Sequence, residues 1–326
     1  CGSTNSSPTP WPKTRCILPT ISSRASVQIK RIKRDVSGVL LLDKPTGITS
    51  NAALQHAKRL FRAAKAGHTG ILDPLASGLL PLCLGEATKF AQYPTDADKA
   101  YDAVIKLGVT TDTGDSEGQV LTQHAVTVTL AELEHAVQQF NGTILQTPPM
   151  YSALKHQGQP LYKYARQGIV IERAAREVTL HRIVLTDFQG DVVRLSVDCS
   201  KGTYIRVLAE DIGSLLGCGA HLIGLRRTRV GDFSLANALT LDTLEAMPEA
   251  ERDSMLLPSD QLLTALPAIA LDRDAAYYLR QGQAIWQAKL QVHQRFRIYD
   301  EKQVFVGVGE VNAEGKLAPT RLVVQR

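Results

Sequence analysis

KAYDAVIKLGV, residues 99–109, puts Tyr101, Ala103, Ile105 and Leu107 on one side of an extended chain. DVVRLSVDCS repeats the period of two with Val193, Leu195, Val197 and Cys199. Strands patterned this way carry an apolar face, so they must join a sheet and be covered on that face. Helical patterns supply the cover. Leu54, Ala57, Leu60 and Phe61 form a stripe behind a capping Ser50, with Lys58, Arg59, Arg62 and Lys65 mostly opposite. Thr129 and Glu132 make a capping-box pair for a second helix ending at Gly142. SKGTYIRVLAEDIGSLLGCG reads as a glycine turn into a third helix that ends at Gly217.

The 326 residues suffice for one large domain plus a small one, or for two of medium size. Residues 1–34 carry seven Lys/Arg, no acid, and many Ser, Thr and Pro, which reads as a disordered basic extension. A truncated or wrongly started chain is preferred there over a transit peptide or a lipid-modified Cys1. Order is expected over 35–247. PEAERDSMLLPSDQLLTA (248–265) reads as a linker, and 266–326 holds one short helix pattern and three strand patterns, a small barrel-like module. The net charge of +5 is uneven, with the middle of the chain acidic, so bulk charge alone does not argue for a nucleic-acid partner. Local clusters do lean that way: Lys155, Tyr162, Lys163, Tyr164 and Arg166, and then Arg226, Arg227 and Arg229, mix basic and aromatic groups as structured-RNA binders do. The five cysteines form no CxxC pair, so neither a zinc site nor a disulfide framework is expected, and reduced cytoplasmic thiols are the plain reading. No run of about 18 apolar residues occurs, and no membrane-crossing helix is expected.

GHTGILDPLASGLLPLCLGEATKF (67–90) holds a lone acid, Asp73, ahead of a proline and a long apolar run. Its plain reading is a loop acid capping a turn. The functional reading is a nucleophile or base in an apolar cradle, where Gly67, Gly70, Ala76, Ser77 and Gly78 let a planar substrate approach. Burial there would raise its pKa unless a cation paired with it, and Arg206, Lys44 and Lys89 are candidates. Asp112, Asp115 and Glu117 lie in a turn-rich stretch that reads as a solvated hairpin loop without EF-hand spacing. GxSxG, HExxH, P-loop and GxGxxG contexts are all absent.

Six segments together resemble the bacterial tRNA pseudouridine-55 synthase (TruB) family: GVLLLDKPTGITSN, AGHTGILDPLASGLLPLCLGEATKF, DKAYDAVIKLGVTTDTGDSEG, PPMYSALKHQGQPLYKYARQGI, CSKGTYIRVLAEDIG and GCGAHLIGLRRTRVG. They cover nearly all of 36–233, and the tail, with VGVGEV and LAPTRLVV, is more loosely similar to the family's PUA RNA-binding module. The resemblance implies an α+β fold, with a mixed, mostly antiparallel sheet in the catalytic domain and a small C-terminal PUA-like β-barrel. It implies isomerisation of one T-arm uridine, position 55 of tRNA, to pseudouridine. By that resemblance Asp73 is the nucleophile, Arg206 its ion-pair partner, and Tyr101 the aromatic on the target base and a candidate for the late proton transfer. Tyr204 and Leu225 would line the base pocket, and His68 would wedge into the stack that the base leaves. Lys44 and Pro45 would pack near the site, and Lys89 would touch phosphate or start a helix. Residues 148–168 would form a mobile clamp. Attack at C1′, attack at C6 and a glycal route stay open. No cofactor and no metal are expected; the partner is the T stem-loop of tRNA, the state monomeric and the location cytoplasmic. The rivals are a synthase of the related RNA-guided branch, a non-catalytic tRNA-binding or folding factor, and a glycosidase.

Overall fold

The computed structural model describes residues 33–324 together with Cys1 and Gly2. Residues 3–32 of the expected extension therefore lie outside the described residues. Its last residue, Arg34, belongs to the fold: its amide donates to the Arg62 carbonyl at 2.8 Å, and its guanidinium pairs with Asp253 and Glu249.

Strand β1 (Gly38–Lys44) is followed by helix α1 (Ser50–Leu60). The cap of α1 is Thr49, whose hydroxyl accepts from the Ala52 amide at 3.1 Å. Ser50, the expected cap, is buried instead, and its Oγ accepts from the Leu72 amide at 2.8 Å and donates to the Leu72 carbonyl at 3.0 Å. It staples the loop that carries Asp73 to the helix. Strands β2 (Ala66–His68) and β3 (Ala76–Leu84) flank that loop, and α2 (Gln92–Thr95) leads to β4 (Lys99–Leu107). A hairpin of β5 (Val109–Thr111) and β6 (Val120–Gln123) precedes α3 (Leu130–Gln138), where both halves of the Thr129–Glu132 capping box form. The helix stops short of Gly142, which opens β7 (Gly142–Gln146). The 148–168 excursion holds β8 (Lys155–His156), β9 (Gln159–Pro160) and α4 (Leu161–Ala165). Then come β10 (Arg176–Gln189), β11 (Val192–Cys199), α5 (Ile205–Leu215), β12 (Ala220–Val230) and β13 (Phe233–Ser234).

These strands build one sheet in the order β1-β3-β12-β4-β11-β10-β7, with β2 on β3 and β13 on β12. Its neighbours are antiparallel except for β3 and β12, which run parallel. Tyr101, Ala103, Ile105 and Leu107 share a core with Leu195 and Val197 and with the apolar sides of α1, α3 and α5. The apolar run of β1 and β3 is explained by a second core on the other face. There Val39, Leu41, Leu79, Cys83 and Phe90 meet Leu262, Leu263 and Val308. Strands covered on both faces lose the alternation that marks half-buried ones.

The stretch expected as a linker is packed rather than free. After α6 (Leu241–Ala246) it holds α7 (Glu249–Ser254) and a 3-10 turn (Ser259–Leu263), and the Leu257 amide donates to the Val39 carbonyl at 2.9 Å. The C-terminal part contains β14 (Ala268–Ala270), α8 (Arg273–Arg280), β15 (Ile285–Trp286), β16 (Arg295–Tyr299), β17 (Phe305–Val311) and β18 (Lys316–Leu322). They curl into a five-stranded sheet ordered β14-β16-β17-β18-β15, around its own small core. The three strands expected from the sequence are β16, β17 and β18, and the other two are too short to show a period.

Candidate active site

The loop between β2 and β3, the starts of α5 and β4 and the middle of β12 surround a cavity of about 510 Å³, within the size range of small-ligand sites. Asp73, Tyr101, Arg206, His68, Tyr204 and Leu225 all line it. Lys89 is elsewhere. Its Nζ is bound to Glu86 at 2.6 Å and to the Leu322 carbonyl at 2.8 Å, where the C-terminal sheet meets the main one. It therefore provides no cation for Asp73.

Asp73 sits in a turn closed by the Ala76 amide donating to its carbonyl at 3.1 Å. Its side chain keeps 43% of its exposure, so a ligand in the cavity can reach it. Arg206, in the first turn of α5, approaches from the protein side with Nε 3.3 Å from the Asp73 Oδ2. The same guanidinium gathers two other loops: Nη1 donates to the Thr113 carbonyl at 3.0 Å and to Asp115 at 3.3 Å, and Nη2 to the Tyr151 carbonyl at 2.6 Å.

The expectation for 112–117 is thus overturned at one position. Asp115 is 3% exposed and shares Arg206 with Asp73. The turn signals were real, since Asp115 Oδ1 accepts from the Thr113 hydroxyl at 2.6 Å and the Glu117 amide at 3.1 Å. Nothing in that local pattern pointed to a partner 91 residues away. Arg206 serves two carboxylates, and its pull on Asp73 does not outweigh the effect of burial. Burial pushes the Asp73 pKa up, Asp115 adds to the rise, and Arg206 and Lys44 offset only part of it. Lys44 is fully buried, with Nζ donating to the Pro45 carbonyl at 2.8 Å and the Ile48 carbonyl at 2.7 Å. Desolvation brings its pKa down to about 8, against the opposing pull of Asp73.

Tyr101 lies on β4 with 8% exposure, and burial raises the pKa of its phenol. Leu225 on β12 stands between Ala103 of β4 and Ala76 of β3. Tyr204 precedes α5 and is held by Gln146, whose Oε1 accepts from its amide at 3.0 Å. His68 on β2 has its pKa lowered by burial and by the nearby Arg227 charge, so it presents a neutral ring near pH 7.

Two further cavity residues were not singled out by sequence reasoning. Lys99 donates from Nζ to the Thr95 and Ala97 carbonyls at 2.7 and 2.5 Å, and desolvation brings its pKa down to about 8. Arg227 was grouped with Arg226 and Arg229 as a basic cluster. The cluster divides: Arg226 and Arg229 pair with Asp43 and Asp198, while Arg227 is 1% exposed and lines the cavity. Gly78 also differs from expectation. A Cβ there would meet the Arg227 carbonyl oxygen at 2.3 Å, so the glycine serves strand approach rather than ligand approach.

The chain is 57% identical over 299 residues to "tRNA pseudouridine synthase B" of Methylobacillus flagellatus, covering 92% of this chain and 99% of that one. It belongs to the TruB family. The family model "TruB family pseudouridylate synthase (N terminal domain)" matches residues 58–205. "tRNA pseudouridylate synthase B C-terminal domain" matches 206–264, and "Pseudouridine synthase II TruB, C-terminal" matches 267–323. The protein of the same name from Stutzerimonas stutzeri is 54% identical over 300 residues, 91% of this chain and 98% of that one. Among solved structures, "Crystal structure of the archaeal box H/ACA sRNP Nop10-Cbf5 complex" superposes with a TM-score of 0.67 at 25% identity, covering 89% of this chain and 86% of that chain. The TruB-type fold, α+β with a large mixed sheet and a curled C-terminal sheet, thus agrees with the class expected from the sequence. No helix of the described residues is long and apolar enough to cross a membrane.

Proposed function

We propose that this chain isomerises a uridine of tRNA to pseudouridine, at position 55 in the T arm, with Asp73 as the nucleophile. The observation that carries the reading is the Asp73–Arg206 pair facing Tyr101 and Leu225 across one cavity. Among the described residues that line the cavity Asp73 is the one acid, and Asp115 is buried against Arg206, so the lining offers no second carboxylate to activate water, as a two-carboxylate glycosidase needs. One carboxylate suffices for an isomerisation in which the uracil leaves and returns. The buried phenol and the leucine make a wall for a planar base, and the arginine holds the carboxylate in place.

A target base stacked in the tRNA elbow must be extruded, at a cost of a few kcal/mol. His68, a neutral ring on the rim, is suited to fill the vacated stack. The excursion 148–168 supplies a basic and aromatic surface, with the Arg166 guanidinium 5.4 Å from the Tyr162 ring centre. It is attached to the site through the Tyr151–Arg206 bond. Binding by shape and backbone charge suits such a surface.

Release of tritium from [5-³H]uridine-labelled unmodified tRNA tests the proposal. The natural protein should release it, with product mapping to position 55, and Asp73→Asn should bind tRNA without release. Binding without release by either protein would favour the folding-factor reading, and free uracil would favour a glycosidase. The RNA-guided branch is disfavoured by higher identity to relatives named for tRNA than to the archaeal neighbour, 57% against 25%.

A further inference from the structure

Arg227 is a buried charge without a carboxylate. Among the described residues no ion pair includes it, and its neighbours Lys44, Lys99 and His68 are themselves bases. A guanidinium is costly to keep in such a place. Two backbone carbonyls hold it: Nε donates to Leu79 at 2.7 Å and Nη1 to Ile71 at 3.4 Å. Together these bonds fix the plane of the fork. The remaining nitrogen, Nη2, is shielded from solvent and makes no hydrogen bond within the protein.

The strand register says what lies on that side. Arg227 of β12 is the direct cross-strand partner of Tyr101 on β4, and both side chains line the cavity. Directly opposed residues in an antiparallel pair keep their side chains about 5 Å apart at the root. A bulge follows at once, between Arg227 and Arg229, which ends the regular pairing where the arginine is needed. Gly78 at φ +99 lets the β3 backbone close on the Arg227 backbone from the other side. Arg227 is thus held from β3 and from the loop before it, and its one unused donor nitrogen belongs to a side chain that lines the cavity together with the phenol.

We propose that Arg227 is the positioning residue of Tyr101, holding the phenolic oxygen through Nη2 so that Tyr101 can take the C5 proton in the closing step. This rests on the uridine-isomerase reading above. In that reaction the base departs from C1′, N1 gains a proton, and C5 bonds to C1′. C5 then loses its hydrogen, and the C–H pair returns to the ring. Tyr101 gives up its proton, which neutralises N1, and then accepts the C5 proton as phenolate, so it ends as it began. A buried phenol resists ionisation, and the groups that face it are Arg227 from β12, Cys199 from β11 and Asp73 from the loop before β3. Arg227 favours the phenolate, and the other two oppose it. In proteins without substrate such catalytic hydrogen bonds are commonly long and tighten only in the complex.

Single-turnover conversion of saturating tRNA transcripts carrying hydrogen or deuterium at C5 tests this, with Arg227→Gln, Arg227→Lys, Tyr101→Phe and the Arg227→Gln/Tyr101→Phe pair. Arg227→Gln should slow conversion about 100-fold or more. It should also show a larger C5 isotope effect than the natural protein and move the alkaline fall of the rate to higher pH, because the phenol that must protonate N1 ionises later without the arginine beside it. Arg227→Lys should recover part of each change. The double variant should be no slower than the slower single one. If Arg227→Gln binds tRNA and melts like the natural protein but shows no larger isotope effect and an unmoved pH profile, the proposal fails while the isomerase reading stands. Losses that multiply in the double variant would overturn it equally, as would an Arg227→Lys variant no better than Arg227→Gln. No pseudouridine from the natural protein would remove the isomerase reading itself.

Discussion

Arg206 is divided between a carboxylate that reaches the cavity and one that does not. Arg206→Gln should lower turnover roughly 100- to 1,000-fold, and it should move the acidic limb of the rate to higher pH, because Asp73 loses the charge that restrains its rise. Asp115→Asn should also slow the reaction by loosening Arg206, but the limb should move to lower pH, because a charge that raises Asp73 is gone. Opposite shifts in the two pH profiles would separate the roles, and shifts of one sign would refute this account. Lys44 and Lys99 give a stability prediction. Each is brought to about 8 in the fold from the ordinary lysine value of 10.5. Between those values the unfolded chain holds more protons, so stability should rise as pH goes from about 8 to about 10. Urea midpoints across that range would show it, and Lys44→Met should flatten the slope. The cavity-lining residues expected from the sequence were those whose types and spacing resembled a family motif, and Lys89, expected on the same ground, lies outside the cavity. Asp115 and Arg227 were missed because burial decides their meaning, and neither a DTGD turn nor an RRTR strand records burial.

Strand β12 is the element on which the site is assembled, since Leu225 and Arg227 project from it between β3 and β4. Its parallel contact with β3 depends on Gly78. Gly78→Ala should cost about 2 kcal/mol or more and should lower activity by more than the loss of folded protein explains, read from melting and turnover on the same sample. By contrast Thr129→Ala, which removes the capping box of α3, should cost about 1 kcal/mol and leave turnover of the folded fraction unchanged. The half-buried strands and α3 were legible because alternation and capping residues are local signals. The boundaries of β3 were not: buried on both faces, it shows no period, and its partner β12 lies far along the chain.

The two sheets meet through specific contacts. Phe90 packs edge-on to Phe305 with ring centres 5.5 Å apart, the Tyr299 hydroxyl donates to Asp260 at 2.7 Å, and Glu86 accepts from the Val324 amide at 2.8 Å. A chain ending at residue 265 should therefore melt at lower temperature and bind a dye for exposed apolar surface, because Phe90 and its neighbours lose their cover. An unchanged melt would show the contacts to be dispensable. The supposed linker misled for the same reason: PEAERDSMLLPSDQLLTA looks polar and broken by prolines, yet Leu262 and Leu263 are buried between the sheets. The parallel ladder has one more consequence, in the order of events at synthesis. Arg227 grips the Leu79 carbonyl across 148 residues of sequence. While the chain emerges from the ribosome, β1, β2 and β3 can pair early and β4 can later pair with β11, but the floor of the cavity does not exist until β12 arrives to slot between β3 and β4. Catalytic competence is therefore among the last properties the growing polypeptide acquires, and an incomplete product ending before β12 would carry Asp73 with no pocket around it.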